Sequence, residues 1–217
     1  MKTLYTFLLL ALCFTAFAQK SDSTHMHYRI TRGIISHQTV LKSKPNIKNG
    51  FCEMISGRKV IASGIYKNNE RIGRWRFFNL QDSLEQVYNY TSKQIEYNAP
   101  NKDFTYYIDS VKTNDRIIYP VKIGGFTYSL YYLLREFKAP LELRTAAGVA
   151  SLFYIFTLND TGKLIKFETK VASSVYNRID VINLDKLRKE DFEFSPAIKN
   201  GKPVPSTLVW ETKLTIN

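Results

Sequence analysis

The sequence predicts an α+β protein, in which a β-hairpin-rich N-terminal segment precedes a C-terminal three-stranded antiparallel sheet with two helices on one face. Three observations lead to this prediction. Residues 50–98 contain short apolar runs separated by turn-forming pairs. Residues 118–217 contain two runs with helical spacing and, between them, two predicted strands joined by a glycine-containing turn. A predicted turn at Asn200-Gly201 then precedes the closing segment, residues 206–217, which alternates as a strand does.

Composition indicates a folded, exported protein. The chain has 217 residues, of which 44% are apolar and 14% aromatic, enough for a packed core. Its formal charge of +12 is spread along the chain, which favours a solvated basic surface, so no nucleic-acid partner is expected. Residues 1–18 have the features of a cleaved signal peptide, with Lys2 before an apolar run and Ala16-Phe17-Ala18 at its end. A lipid anchor at Cys13 and a retained membrane anchor are the alternatives. After cleavage Cys52 is the only cysteine, so no intramolecular disulfide is expected.

The two segments that flank the hairpins give weaker signals. Residues 19–49 are polar and basic, which is typical of a loosely attached segment. They include a His-x-His pair, His25 and His27, of the kind that chelates a metal on a strand. Because no third ligand lies nearby in the sequence, no metal site is expected. Residues 99–117 are interpreted as a linker with one strand at about 104–108.

The hairpin segment, residues 50–98, has predicted turns at Gly57-Arg58 and Asn68-Asn69. Its most distinctive run, residues 64–78, has the form Gly-x-Tyr-x-Asn-x-x-x-x-Gly-x-Trp-x-x-Phe. This run resembles the variant MORN repeat, a β-hairpin unit whose glycines open tight turns and whose aromatic residues cover one face. The resemblance implies either a structural hairpin or an aromatic strip in peripheral contact with lipid or glycan.

The C-terminal part, residues 118–217, begins with a predicted helix over 126–138, whose apolar residues recur at helical spacing. Two strands are expected next, over 150–158 and 163–172, with an Asn-Asp-Thr-Gly turn between them. A second helix is expected over 177–189, because its apolar residues also fit a helical period. These residues are Ile179, Ile182, Leu184 and Leu187.

The closing strand is the predicted binding site. Its alternation places Trp210 and Leu214 toward the helices. The same alternation places Glu211 and Lys213 toward solvent. Because it is the last strand, we expect it to lie at a sheet edge, where it can accept a strand from another chain. The predicted protein-binding strand comprises Thr207, Leu208, Val209, Trp210, Glu211, Thr212, Lys213, Leu214, Thr215 and Ile216.

Residues 118–217 also carry an ordered set of motifs. These are Gly124-Gly125 before the first helix, Gly148 before the first strand, the hairpin at Gly162, the Phe194-x-Pro196-Ala197 turn, and Gly201 and Pro203 before the last strand. The set resembles the C-terminal domain of TonB, the energy transducer of Gram-negative outer-membrane transport. The resemblance implies a periplasmic module whose last strand pairs with a short peptide of an outer-membrane transporter.

We therefore expect a periplasmic protein that binds an outer-membrane TonB-dependent transporter or another envelope protein by strand addition. If residues 1–18 are retained as an inner-membrane anchor, the resemblance implies a full energy transducer. A structural envelope protein whose aromatic hairpins contact lipid or glycan is a third hypothesis, and a homodimer formed through the same edge is a fourth. The sequence contains no catalytic or cofactor-binding motif, so no enzyme activity, catalytic residue or cofactor is expected.

Overall fold

A computed structural model describes residues 21–31, 33–134, 136–140, 142, 148–173 and 176–216. The structure is mostly β, with 56% in strands and 9% in helices. The predicted α+β fold, a three-stranded sheet with two covering helices, is therefore wrong. The described residues form sheets of seven, five and three strands and one α-helix. The predicted signal peptide, residues 1–18, lies outside the described residues.

The first sheet is a seven-stranded antiparallel meander in which the strands follow chain order. Residues 23–41, expected to be loosely attached, supply its first two strands, because Ile34 and Val40 are buried in its core. The predicted turn at Asn68-Asn69 is confirmed, and both residues have positive φ, as a tight hairpin requires. The strands are β1 (Ser23–Arg29), β2 (Ile34–Leu41), β3 (Lys48–Ser56), β4 (Lys59–Lys67), β5 (Glu70–Phe78), β6 (Leu84–Asn89) and β7 (Gln94–Asn98).

The aromatic residues of the run 64–78 mostly face the interior. Tyr66, Trp75 and Phe77 are at most 5% exposed and form the core of the first sheet. Tyr66 and Trp75 meet edge to face, with ring centres 5.0 Å apart. These three side chains therefore stabilise the fold and are not available to lipid or glycan in the folded protein.

The single described α-helix, α1 (Phe126–Leu134), lies between the first and second sheets. Its Tyr128 and Tyr132 pack into the core of the seven-stranded sheet. Its Leu130 and Leu133 pack into the core of the second sheet. One short helix therefore supplies side chains to two hydrophobic cores.

The second sheet has five strands in the order β12-β11-β10-β15-β8, and the third is a small sheet in the order β14-β13-β9. The sequence correctly predicted strands at the positions of β10 and β11. It also predicted the turn at Asn200-Gly201, where both residues have positive φ. The strands are β8 (Phe104–Tyr107), β9 (Ile117–Ile118), β10 (Gly148–Leu158), β11 (Leu164–Ala172), β12 (Asn177–Val181), β13 (Ala197–Lys199), β14 (Lys202–Val204) and β15 (Ser206–Ile216).

The second predicted helix, over 177–189, does not form. Its first residues form β12, which pairs with β11 and extends the sheet. The Asn183 side chain then accepts a hydrogen bond from the N–H of Asp185 and begins a short 3₁₀ turn, Leu184–Lys186. A second 3₁₀ turn follows at Lys189–Phe192. Of the apolar residues whose spacing fits a helix, Ile179 therefore lies in a strand, and Leu184 and the cap residue Leu187 belong to the first 3₁₀ turn.

Candidate functional site

The predicted binding strand, β15, lies at a sheet edge over only part of its length. It pairs with β10 along Ser206–Ile216. On its other side, β8 pairs only with Thr207–Trp210. Among the described residues, Glu211–Ile216 therefore have no strand on that side. Backbone N–H and C=O groups on this side are available to another chain. We call residues 211–216 the open half of β15.

The side chains of residues 211–215 alternate between the core and solvent, as predicted. Trp210, directly before it, lies between the rings of Phe126 and Tyr154, with ring centres 5.3 Å from each. Leu214 also packs against the core. Lys213 is exposed. The inner face therefore holds the strand in position, while no strand of the described residues pairs with its outer backbone edge.

The opposite edge of the same sheet is formed by β12. It pairs only with residues 168–172 of β11, and no described strand lies on its outer side. Its Ile179 and Val181 are 54% and 65% exposed. Because β10 holds β15 over eleven residue pairs and β11 holds β12 over five, the open half of β15 is the better preorganised edge.

A cleft of about 460 Å³ lies beside β8, where the seven-stranded sheet meets the five-stranded sheet. Its apolar wall includes Phe104, Tyr106 and Phe126, and its polar wall includes Glu85 and Gln86. Phe104 is the residue of β8 that pairs with Trp210, so the cleft borders the point where the open half of β15 begins. An added strand would therefore run next to an aromatic pocket.

Gln86 joins the two parts of the molecule at this cleft. It is fully buried, and its Oε1 accepts hydrogen bonds from the N–H groups of Gly124 (2.8 Å) and Gly125 (3.2 Å). Its Nε2 donates to the Lys122 carbonyl (3.1 Å) and to Asn98 Oδ1 (2.9 Å). The Gly124-Gly125 motif thus serves as a docking point for the first sheet.

Two neighbouring features complete this junction: position 125 requires a glycine, and Glu85 caps α1. A Cβ atom on Gly125, whose φ is +70°, would lie 2.7 Å from Cβ of Phe77. The Glu85 carboxylate accepts hydrogen bonds from the N–H (2.8 Å) and Oγ1 (2.7 Å) of Thr127 at the start of α1. A carboxylate at this position satisfies a free helix N–H and interacts favourably with the helix dipole.

Arg71 forms a second connection between the sheets. Its guanidinium donates hydrogen bonds to the hydroxyls of Tyr66 (3.3 Å), Tyr90 (2.8 Å) and Tyr128 (2.9 Å). It also stacks over the Trp75 ring, 4.6 Å from the ring centre. Because Tyr128 belongs to α1, this aromatic cage links the first sheet to the helix.

Lys122 is a buried lysine at the same junction and is 4% exposed. Its Nζ donates to the carbonyls of Ile123 (3.1 Å), Glu190 (2.8 Å) and Glu193 (2.9 Å). Burial lowers the pKa of Lys122 to about 7, although the carboxylates of Asp191 and Glu193 oppose the shift. Because three backbone carbonyls surround the amine, Lys122 fixes the chain and is not presented to a ligand.

The motif residues predicted by resemblance do not form one site. Gly162 contacts the Phe194-x-Pro196 turn, and a Cβ on Gly162 would lie 2.6 Å from the Phe194 carbonyl oxygen and 2.7 Å from Pro196 N. The remaining motif residues occupy separate structural positions. Gly124 and Gly125 lie at the sheet junction, Gly148 begins β10, Ala197 is buried in β13, and Gly201 and Pro203 lie in the β13–β14 hairpin.

Sequence reasoning missed Arg71 and Gln86. Strand periodicity contained the signal for both, because successive side chains alternate between faces. Arg71 is in phase with Trp75 and Phe77, and Gln86 is in phase with Tyr88. A polar residue at an inward-facing position of a strand indicates a buried hydrogen-bonding role.

Comparisons with known proteins do not assign the chain to a family. No family model matches the chain, and neither the curated proteins nor the solved structures contain a significant match. Within the described ranges, no helix has the length and apolar character needed to span a membrane.

Proposed function

We propose that this protein acts in the cell envelope, where it binds an extended segment of another envelope protein by β-strand addition to the open half of β15. One observation carries the proposal: β8 begins only opposite Trp210, so among the described residues Glu211–Ile216 have no strand on their outer side, while β10 pairs with β15 throughout. The signal-like features of residues 1–18 support a periplasmic location. The motif resemblance to TonB C-terminal domains supports an outer-membrane transporter as the partner.

The added strand would lie in line with β8 and supply the missing neighbour of the open half. Six residues offer about six outward backbone groups, each worth about 0.5–1.5 kcal/mol net when paired. Immobilising a flexible segment costs much of this gain, so we expect affinity no tighter than about micromolar. The cleft beside Phe104 would add selectivity by receiving one apolar side chain of the partner.

Site-specific photo-cross-linking in the native envelope tests the proposal. A photoreactive residue replaces Lys213 in the open half or, as the matched control, Arg76. Arg76 is also basic and exposed, but its strand has neighbours on both sides. We expect a discrete cross-linked envelope protein from position 213 and none from position 76. Equal cross-linking from both positions would contradict the proposal.

Proline substitutions then test the backbone mode with the cross-linked segment as a synthetic peptide. Adjacent residues of a strand direct their N–H groups to opposite sides. One of Thr212→Pro and Lys213→Pro therefore removes a bond to β10, and the other blocks the open side. We expect the variant with the native circular dichroism spectrum to lose peptide binding in calorimetry. Native-like affinity in that folded variant would refute strand addition at β15.

A different measurement tests each of two rival hypotheses. Homodimerisation through the same edge predicts a concentration-dependent dimer in sedimentation velocity that the folded proline variant does not form. The energy-transducer hypothesis requires residues 1–18 to remain attached, which N-terminal sequencing of the protein purified from its envelope determines. A first residue of Gln19 excludes the transducer and retains the periplasmic binding protein.

A further inference from the structure

The three histidines of the chain meet on one outer patch of the first sheet. His25 and His27 are two residues apart on β1, so they share a face. His37 lies directly opposite His27 on β2. Glu53 lies directly opposite His37 on β3. Strand pairing therefore supplies the third ligand that the sequence spacing did not reveal.

The side chains of this patch, residues 25, 27, 37 and 53, are close together and reachable from solvent. The ring centres of His27 and His37 are 4.2 Å apart, and those of His25 and His37 are 5.5 Å apart. Glu53 Oε2 lies 3.9 Å from His37 Nδ1. His25 and His27 are exposed, and His37 is half-buried. An ion can reach the patch without any movement of the backbone.

We propose that this patch binds a late divalent transition-metal ion, with Zn²⁺ as the reference ion, through imidazole nitrogens of His25, His27 and His37. Three imidazoles are an established zinc ligand set that leaves a fourth position for water or a further ligand. Imidazole also suits copper and nickel, whereas magnesium and calcium prefer oxygen ligands.

Metal binding requires the rings to rotate from their present positions. The rings of His27 and His37 stack with an interplanar angle of 12°, so their nitrogens do not converge. As the side chains stand, no group of three His, Cys, Asp or Glu in the described part of the chain is arranged to hold a metal ion. A Zn–N bond of about 2.0–2.1 Å places ring centres about 5.2 Å apart around a tetrahedral ion. The separation of 5.5 Å between His25 and His37 already suits this geometry.

The stacked pair of His27 and His37 must open by about 1 Å to reach that geometry. Exposure of His27 gives its ring room to swing about its side-chain bonds. Glu53 acts as a positioning residue. Its Oε2 lies 3.9 Å from His37 Nδ1, so rotation of the His37 ring would bring the two within hydrogen-bond distance, and a carboxylate that accepts from Nδ1–H leaves Nε2 free for the metal. The bound ion would link β1, an edge strand of the sheet, to β2.

Calorimetric titration of ZnCl₂ into the tag-free chain 19–217 tests the proposal. We expect one ion per chain, with at least tenfold weaker binding in His27→Asn and in His37→Asn. Glu53→Gln should weaken binding severalfold, as loss of a positioning carboxylate does at other metal sites. Arg29→Gln is the matched control, because Arg29 is an exposed residue of the same strand that supplies no ligand. It should bind Zn²⁺ as the unsubstituted chain does.

Two further readouts separate a built site from loose surface binding. Co²⁺ in place of Zn²⁺ should give the visible absorption of a tetrahedral ion, and His27→Asn should abolish it. Zn²⁺ should raise the thermal midpoint of the unsubstituted chain but not that of His27→Asn, because only native ligands bind the ion. Absence of binding, or equal binding by the unsubstituted chain and both histidine variants, would overturn the proposal.

Discussion

Replacing Gln86 with leucine is expected to uncouple the two parts of the protein. The Gln86 side chain satisfies the N–H groups of Gly124 and Gly125 and the carbonyl of Lys122, all at a buried position. Leucine has a similar volume but makes no hydrogen bond, so two N–H groups and one C=O lose their partner. Leaving one such buried group without a partner costs about 1–3 kcal/mol. The two N–H groups share one acceptor, so their losses are not fully additive, and we expect the free energy of unfolding to fall by about 3–6 kcal/mol.

Urea unfolding followed by tryptophan fluorescence measures this loss in each part separately. Trp75 lies in the core of the first sheet, and Trp210 packs against the core of the second. Each is removed in turn by substitution with phenylalanine, and Gln86→Leu is compared with Gln86 in the same background. We expect Gln86→Leu to lower the urea midpoint in both backgrounds. We also expect the transition reported by Trp75 to differ from that reported by Trp210.

The matched control is Gln94→Leu, the same chemical change at an exposed position of β7. It should change the free energy of unfolding by no more than about 0.5 kcal/mol. Coincident transitions in Gln86→Leu, with a loss within about 1 kcal/mol of the control, would refute the role assigned to this amide.

Two further predictions concern the junction and the β10–β11 turn. Native Lys122 loses its proton near pH 7, whereas an unfolded lysine does so near 10.5. The unfolded state therefore binds more protons between these values, and stability rises by up to about 1.4 kcal/mol per pH unit. Lys122→Met should lack this rise in urea titrations from pH 7 to 10, and parallel curves would contradict the assignment. Gly162→Ala should lower the free energy of unfolding by at least about 2 kcal/mol, because its Cβ would lie 2.6 Å from the Phe194 carbonyl oxygen. Gly201→Ala is the matched control, because Gly201 also has a positive φ (+80°) but an added Cβ there would meet nothing within 4 Å, and an equal loss in both would argue against a specific clash at Gly162.

Local signals in the sequence predicted the local structure well. Turns at Asn68-Asn69 and Asn200-Gly201 followed from residue types that tolerate positive φ. Strand β11 followed from alternation, β10 followed from its place between Gly148 and the Asn-Asp-Thr-Gly turn, and α1 followed from a helical stripe. Each of these signals depends on residues a few positions apart, so it can be detected without knowledge of the fold.

The features that the sequence missed depend on long-range pairing. A helix fits the spacing of the apolar residues at 179, 182, 184 and 187. The first of them nevertheless lies in β12, because residues 177–181 pair with the free edge of β11. The seven-stranded sheet could not be inferred from 19–49, because its polar residues conceal inward positions such as Ile34. Whether β15 is an edge depends on β8, which lies about 100 residues earlier in the chain.

The candidate site was therefore predicted only in part. Alternation correctly assigned Trp210 and Leu214 to the buried face of the last strand. It could not show that β8 pairs with Thr207–Trp210 and with no later residue of the strand. The convergence of His37 with His27 was also hidden, because ten residues of sequence separate two positions that strand pairing brings face to face.

The position of α1 between two cores limits how the chain can be divided. A fragment that begins at residue 118 would keep the helix but expose Tyr128 and Tyr132, whose packing partners lie in the first sheet. A fragment that ends at residue 98 would keep that sheet and lose the helix that covers it. Each half therefore depends on the other to complete its hydrophobic core. Cutting the chain between residues 98 and 126 should lower the stability of both parts.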